Sequence, residues 1–516
     1  MDRTQEFFDF IAKGNTFKGD YITMGAAMLD GETITDAHVK VPLKTLNRHG
    51  LIAGATGTGK TKTLQIIAEN LSEKGIPVLL MDMKGDLSGI AKASPGHPKI
   101  EERHEKIGVP FTTKDFPVEI LTLSEQQGVR LRATVSEFGP VLFSRIIDAT
   151  VAQSGIVSIL FKYSDDHKLP LLDLKDFKKI LQYATQEGKE EVAAEYGRIS
   201  PASAGSILRK IVELEQQGAD IFFGEKSFEV DDLTRINDEG RGMINIIRLT
   251  DIQDRPGLFS TFMLSLLAEI YSTFPEQGDN DRPELVIFID EAHLIFKEAS
   301  KALHSQIESI VKLIRSKGIG LYFVTQNPTD IPEGVLSQLG LKVQHALRAF
   351  TAKDRKAIKL TAENYPDSPY YDTKSQLTSL GIGEALISAL DEKGKPTPLA
   401  ATMLRAPMSR MDILTQDELD TINNNSTLIK KYNVEVDRES AYELLNKKIE
   451  KANEEETKEK AKEERAKVSR TSSRSKSKST SRKRTTQSAT SKAIIKVLTS
   501  ATVIRGVFGI LSKMLK

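Results

Sequence analysis

Residues 54–61 of the chain read Gly54-Ala55-Thr56-Gly57-Thr58-Gly59-Lys60-Thr61. An apolar run, Leu51-Ile52-Ala53, precedes this segment, and a helical pattern of apolar residues follows it. A strand, a glycine-rich loop ending in Lys-Thr and a helix, in this order, are typical of a loop that binds the phosphates of a nucleoside triphosphate. The segment therefore predicts a nucleotide site; the alternative is a chance match in a Gly/Thr-rich turn.

The residue types of this loop suit phosphate chemistry. Glycines let backbone N–H groups approach phosphate oxygens at distances that a side chain would prevent. Lys60 is expected to contact the β- and γ-phosphates, and the Thr61 hydroxyl is expected to hold Mg²⁺. A helix beginning near Lys60 directs the positive end of its dipole at the same anion. The predicted nucleotide contacts are Gly54, Ala55, Thr56, Gly57, Thr58, Gly59, Lys60 and Thr61.

Strand and helix patterns alternate through most of the chain. Apolar strand patterns lie at residues 51–54, 78–82, 242–249, 285–289, 320–325 and 341–346. Helical patterns lie at residues 60–74, 175–185, 202–217 and 258–273. This alternation predicts an α/β fold with a mostly parallel central sheet that helices cover on both faces.

Changes in pattern divide the chain into segments. A short N-terminal β segment (1–45) precedes a core at 46–140 and 236–407, which a helical insertion at 141–235 interrupts. A C-terminal helical region follows at 408–468, then a basic linker at 469–492 and an apolar-cationic terminal helix at 493–516. The linker is rich in Ser, Thr, Lys and Arg, a composition that predicts disorder.

Composition and charge limit the classes of function. The chain has no cysteine, which excludes disulfides, thiolate metal sites and a cysteine nucleophile. Its charged N-terminus and the lack of a long apolar run predict a cytoplasmic protein without a membrane span. Residues 470–516 carry twelve Lys/Arg and no Asp/Glu, whereas residues 1–469 have a net charge of −11. A basic tail on an acidic body is typical of an interaction segment.

Two carboxylates follow the apolar strand pattern at 285–289, namely Asp290 and Glu291. At the carboxyl end of a central strand, Asp290 is expected to hold the Mg²⁺ shell, and Glu291 to polarise the attacking water. The alternative is that both residues only cap the following helix. The adjoining Ala292-His293 completes the letters of a DEAH box, but the sequence shows no accompanying set of that helicase superfamily's other motifs across a second motor domain. We therefore expect His293 to be a local packing or hydrogen-bonding residue rather than a coupling residue.

Other polar residues lie near the ends of predicted strands. Gln326 follows the strand at 320–325, where it suits either a γ-phosphate sensor or an ordinary turn. Arg48 and Arg315 suit either surface ion pairs or neutralisation of the γ-phosphate. Asp82, Lys84 and Asp86 either lie near the nucleotide or the subunit interface, or form only a tight Lys-Gly-Asp turn.

Four blocks of sequence, at 46–61, 81–89, 289–293 and 343–350, resemble the bacterial HerA-like ATPases of the HerA–FtsK group. The resemblance covers about residues 20–405 and implies a RecA-like P-loop NTPase that uses ATP and Mg²⁺. It implies roles for the phosphate-loop pair Lys60 and Thr61, the metal ligand Asp290, the base Glu291, the sensor Gln326, the arginine Arg48 donated in trans, and the nucleotide-sensing Arg315. It also implies a homo-hexameric ring that translocates or unwinds double-stranded DNA.

Other functions and partners stay open from sequence. The main alternative is an ATPase that remodels or transports protein, with the C-terminal tail docking a partner or a membrane surface. A small-molecule phosphotransferase is disfavoured, because Glu291 beside Asp290 suits hydrolysis better than transfer. The first 45 residues are too few for the β-barrel of archaeal relatives, so a nuclease partner also stays open.

Overall fold

One twelve-stranded sheet forms the centre of the computed structural model, which describes residues 2–278, 280–297, 301–434, 436 and 438–474. Its strands are β1 (Tyr21–Leu29), β2 (Glu32–Pro42), β3 (Gly50–Ala53), β4 (Val78–Asp82), β5 (Val118–Thr122), β6 (Val129–Arg130), β7 (Ile244–Arg248), β8 (Leu285–Ile289), β9 (Ile319–Thr325), β10 (Leu341–Gln344), β11 (Glu384–Ser388) and β12 (Ala400–Leu404). Their order across the sheet is β2-β1-β12-β11-β10-β3-β9-β8-β4-β7-β5-β6.

Helices connect and cover these strands. They are α1 (Arg3–Gly14), α2 (Lys60–Glu73), α3 (Pro98–Ile107), α4 (Val135–Ile146), α5 (Val151–Asp166), α6 (Leu174–Thr185), α7 (Lys189–Tyr196), α8 (Pro201–Gln216), α9 (Ala219–Phe222), α10 (Pro256–Thr273), α11 (His293–Lys297), α12 (Lys301–Ile314), α13 (Glu333–Leu336), α14 (Ala352–Ala362), α15 (Thr373–Ser379), α16 (Gln416–Asn425), α17 (Thr427–Tyr432) and α18 (Ala441–Arg474). Short 3-10 turns include Leu43–Arg48 before β3 and Arg315–Lys317 before β9.

The strands from β10 to β6 in this order are parallel, and those from β2 to β10 pair antiparallel. Every residue of β3, β4, β8 and β9 is buried, as expected for strands with helices on both faces. The predicted α/β fold with a mostly parallel sheet is confirmed.

The N-terminal residues extend this same sheet. Strand β1 pairs with β2 and also with β12, where Gly25 lies opposite Leu404. A side chain at position 25 would place its Cβ 1.9 Å from the Met403 carbonyl oxygen, so glycine permits this close approach. Helix α1 buries Phe7 and Ile11, which belong to the core cluster of the sheet. The first two strands therefore belong to the core of the fold.

Helices α4 to α9 lie between β6 and β7 and have a core of their own. The rings of Phe143, Phe161 and Phe177 lie within 6 Å of one another, measured between centroids. Thr134 and Thr150 begin α4 and α5 with reciprocal capping boxes, which satisfy backbone N–H groups of the first turn. These helices fall in and around the segment predicted as a helical insertion.

Helix α18 continues to Arg474, into the segment predicted as a disordered linker from residue 469. Glu–Lys pairs four residues apart, such as Glu456–Lys460 and Glu463–Lys467, support its exposed length. One compact unit ends at Lys447 and a second begins at Lys448. The rest of the predicted linker and the predicted terminal helix lie outside the described residues. Within the described ranges, no helix is apolar over a length that would cross a bilayer.

Candidate nucleotide-binding site

The motifs singled out from sequence follow four neighbouring strands. The order β3-β9-β8-β4 is parallel, so the carboxyl ends of these strands lie along one edge of the sheet. The glycine loop follows β3, Gln326 follows β9, Asp290 follows β8, and Asp82 ends β4. Residues more than 200 positions apart in the chain are thereby brought to a common edge.

The glycine loop turns sharply between β3 and α2. Gly54 has a φ of +152°, and a Cβ there would lie 2.5 Å from the Cβ of His345. Gly59 has a φ of +113° immediately before α2 begins at Lys60. The first turn of α2 therefore presents its free N–H groups toward the loop, as an anion site requires.

Lys60 is folded over this loop. Its Nζ donates hydrogen bonds to the carbonyl oxygens of Gly54 (2.8 Å) and Ala55 (3.2 Å). The side chain is buried, and burial together with the nearby Lys84 lowers its pKa, while Glu291 and Asp290 act in the opposite direction. An arriving phosphate would therefore meet a preorganised ammonium group.

A buried histidine, His345, packs against the glycine loop. The N–H of His345 donates to the Ala53 carbonyl at 2.7 Å, and its Nε2 lies 2.8 Å from the Thr63 hydroxyl in α2. Burial lowers the pKa of His345 to about 4, so the ring is neutral at physiological pH. It links the strand before the loop to the helix after it. His345 lies in the block at 343–350 that carried the family resemblance, although no single residue there suggested this contact.

Asp290 and Glu291 lie side by side at the end of β8, and both are buried. Burial raises the pKa of Asp290 to about 7; Lys84 opposes this shift and Glu291 adds to it. Glu291 has a left-handed backbone, with φ of +47°, which is uncommon outside glycine and occurs at functional sites. Its Oε1 lies 2.6 Å from Lys84 Nζ, and its Oε2 lies 3.3 Å from His293 Nδ1.

The oxygen ligands at this edge suit Mg²⁺. Asp290 offers a buried carboxylate that a divalent cation would stabilise, and Thr61 offers a hydroxyl in the first turn of α2. No cluster of three or more metal-ligating side chains occurs among the residues that the structure describes. Mg²⁺ needs none, because it binds through one or two protein oxygens together with phosphate and water. Asp290 and Thr61 therefore fit this ion.

Gln326 lines a cavity of about 480 Å³ next to the glycine loop. Ala55 and Thr56 form one wall, and Arg348 and Phe350, from the segment after β10, form another. Phe350 is 86% exposed. The cavity offers room for a phosphate group or a water beside the loop. The sequence analysis had not predicted that Arg348 lines this cavity.

Arg48 and Arg315 lie at the opposite edge of the sheet. Arg48 precedes the amino end of β3 and Arg315 precedes the amino end of β9, so the length of a strand separates each from the glycine loop. A four-residue strand alone spans more than about 10 Å. The structure does not bring either arginine into the site of its own chain.

His49 connects the segment before β3 to α12 and β9 at the amino ends of these strands. Its Nε2 donates to the Val311 carbonyl at 2.8 Å, and its Nδ1 accepts from the Leu321 N–H at 3.1 Å. Burial lowers the pKa of His49 to about 4, the Val311 carbonyl opposes the shift, and the nearby Arg315 adds to it. Arg48 precedes this neutral, buried histidine in the sequence, and Arg315 lies near enough to lower its pKa.

The family model described as "Helicase HerA-like C-terminal" matches residues 28–516 of the chain. The DNA double-strand break repair helicase HerA of Sulfolobus acidocaldarius is 24% identical over 363 residues, which cover 68% of this chain and 64% of that protein. The protein of the same name from Saccharolobus solfataricus is 22% identical over 384 residues, covering 73% of this chain and 68% of its own length.

A solved structure shares the fold. The bacterial conjugative coupling protein TrwBdeltaN70, in its unbound monoclinic form, superposes with a TM-score of 0.50 at 13% identity. The superposition covers 79% of this chain and 95% of that one.

Proposed function

Because the chain belongs to the helicase HerA-like C-terminal family, we propose that it is an ATP hydrolase that works as a homo-hexameric ring and translocates double-stranded DNA. The family match also confirms the resemblance found in four blocks of sequence. The observation that carries the proposal is the common edge on which the glycine loop, Asp290 and Glu291 meet.

In the proposed reaction, water attacks the γ-phosphorus of ATP, a new P–O bond forms, and the bond to the ADP oxygen breaks. Glu291 accepts a proton from the attacking water, and Gln326 orients that water or the γ-phosphate. Lys60 and the backbone N–H groups of the loop neutralise charge on the phosphates. When bound, Mg²⁺ would neutralise further charge and would be held by Thr61 and Asp290.

The distant arginines support a ring. In a ring, a neighbouring copy can supply an arginine that neutralises charge on the γ-phosphate. Arg48 and Arg315 both precede the amino ends of parallel strands, on the side of the sheet away from the glycine loop. The nucleotide of a neighbouring copy that packed against this side would lie near them. We assign Arg48 the role of the donated arginine and Arg315 that of a nucleotide sensor.

The proposed DNA substrate agrees with the names of the two HerA relatives, which are DNA double-strand break repair helicases. The basic residues of 470–516 would add phosphate contacts to such a substrate. Translocation on DNA predicts that duplex binding and ATP hydrolysis are coupled.

The test measures ATP hydrolysis without polymer, with duplex DNA and with single strands, at low and at moderate salt. We expect duplex DNA to stimulate hydrolysis and Glu291→Gln to lower kcat about 100-fold or more, because the variant retains shape but loses the base. Hydrolysis that is indifferent to every nucleic acid would contradict the DNA substrate and favour remodelling of protein. Unchanged kcat in Glu291→Gln would contradict the assigned base.

A further inference from the structure

Lys84 forms an ion pair with the proposed general base. Its Nζ lies 2.6 Å from Glu291 Oε1, a short charge-assisted contact. The Glu291 side chain is 11% exposed, whereas that of Lys84 is 40% exposed. This contact occupies Oε1 as a hydrogen-bond acceptor, so that this oxygen is not available to accept a proton from an attacking water.

The backbone that carries Lys84 is fixed. The Asp82 carboxylate accepts hydrogen bonds from the N–H groups of Gly85 (2.7 Å), Asp86 (3.2 Å) and Leu87 (3.2 Å). These bonds close the turn after β4, and Lys84 is one of the residues of this turn. A turn, one of the sequence alternatives, is thus present here, and Lys84 of that turn contacts Glu291.

The side chain of Lys84 retains freedom within that fixed frame. The side chain is partly exposed and its four-carbon stem is flexible, so the ammonium group can reorient without movement of the backbone. Lys60 and Lys84 lie close enough to repel each other across the carboxylates Asp290 and Glu291. An anion that arrives between the two ammonium groups would relieve this repulsion and compete with Glu291 for Lys84.

We propose that Lys84 is a second phosphate-binding cation. When ATP binds, Lys84 moves from Glu291 to the terminal phosphate. The base is therefore free only when a triphosphate is present. This inference rests on the proposed function and adds a regulatory contact to the same site. ADP lacks the terminal phosphate, so it leaves the Lys84–Glu291 pair intact. The pair would then suppress proton transfer whenever there is no γ-phosphate to cleave.

The first experiment measures binding of a non-hydrolysable ATP analogue and of ADP, each with Mg²⁺, to the full chain. We expect Lys84→Met to weaken binding of the analogue about tenfold and to change ADP binding by less than about twofold. Lys84→Arg, which keeps the charge, should retain the preference for the analogue. The control is Lys114→Met, which breaks a similar 2.8 Å pair with Glu73 and should leave both affinities unchanged.

A second experiment tests the exchange of partners. Glu291→Gln releases Lys84, so it should tighten binding of the analogue about threefold or more in the otherwise unchanged chain. In the Lys84→Met background the same substitution should have no such effect. Equal loss of analogue and ADP binding in Lys84→Met, or independent effects in the double variant, would overturn the inference.

The two proposals fail differently. If the unmodified chain hydrolyses no ATP, the proposed function is wrong. If the unmodified chain hydrolyses ATP while Lys84→Met keeps the full preference for the analogue over ADP, only the role of Lys84 is wrong. Thermal unfolding of Lys84→Met beside Lys114→Met shows whether either substitution disturbs the fold.

Discussion

Gly54 brings the backbone of the glycine loop close to the side chain of His345. A Cβ at this position would lie 2.5 Å from the Cβ of His345, and a φ of +152° is unfavourable for any other residue. His345 has little room to move, because its N–H and its ring are both hydrogen bonded. The loop therefore depends on glycine here for space as well as for backbone angle.

We expect Gly54→Ala to abolish binding of a fluorescent ATP analogue and to lower Tm, because either the loop or His345 must shift. Gly31→Ala is the matched control: Gly31 also has a positive φ, +87°, but a Cβ there meets nothing within 4 Å. The control should cost about 1 kcal/mol and keep nucleotide binding. Retained binding in Gly54→Ala would contradict the proposed loop contact.

At the scale of secondary-structure elements, His49 joins the start of β3 to α12 and β9. Burial keeps this ring neutral and lowers its pKa to about 4. The unfolded chain binds a proton at the ordinary pKa of about 6.5, so it gains protons first as the pH falls. The stability that neutral His49 contributes is therefore present above about pH 6.5 and is lost between about pH 6.5 and pH 4.

We expect His49→Asn to be less stable than the unmodified chain near pH 7.5 and to lose less stability on acidification. Between about pH 7.5 and pH 5, the histidine accounts for a loss of about 2 kcal/mol that the variant lacks. The backbone at this position, with φ of 59° and ψ of 168°, is unfavourable for histidine and asparagine alike, so the pH dependence is the diagnostic difference between them. Thermal unfolding at both pH values measures the difference, and identical pH profiles would contradict this assignment.

The central elements were predictable because their patterns are local. Strands β4 and β8 have the predicted bounds, and α6 begins one residue before its predicted start. Each is an apolar run or a helical stripe whose period is visible within about ten residues. The glycine loop and the Asp290-Glu291 pair follow from such runs, since carboxyl ends of neighbouring parallel strands share an edge.

Contacts between distant segments were not predictable from single patterns. Strands β11 and β12 have short sequences without strong alternation and become strands by pairing with β10 and β1. The pairing of Lys84 with Glu291 and of His345 with Thr63 depends on which strands are neighbours. Neither the Lys-Gly-Asp turn that contains Lys84 nor the strand end next to His345 has a local sequence pattern that indicates these partners.

At the scale of the whole molecule, the separation of Arg48 from the glycine loop makes the assembly testable. We expect Arg48→Ala to abolish turnover while binding of ATP persists, because the arginine acts on a neighbour's nucleotide. Mixing Arg48→Ala with Lys60→Ala chains should restore part of the activity, since some interfaces then combine an intact arginine with an intact loop. Absence of any restoration would contradict action across a subunit boundary.

The pairing of β1 with β12 has a consequence for biosynthesis. Residues 25–27 find their partners at 402–404, so a nascent chain emerging from the ribosome carries the β1–β2 hairpin for most of its synthesis with one edge unprotected. Such an edge can pair with foreign strands. The free edge of β1 is paired only after β12 has left the exit tunnel. A translation product that ends before β12 would therefore expose an unpaired strand edge to chaperones and proteases.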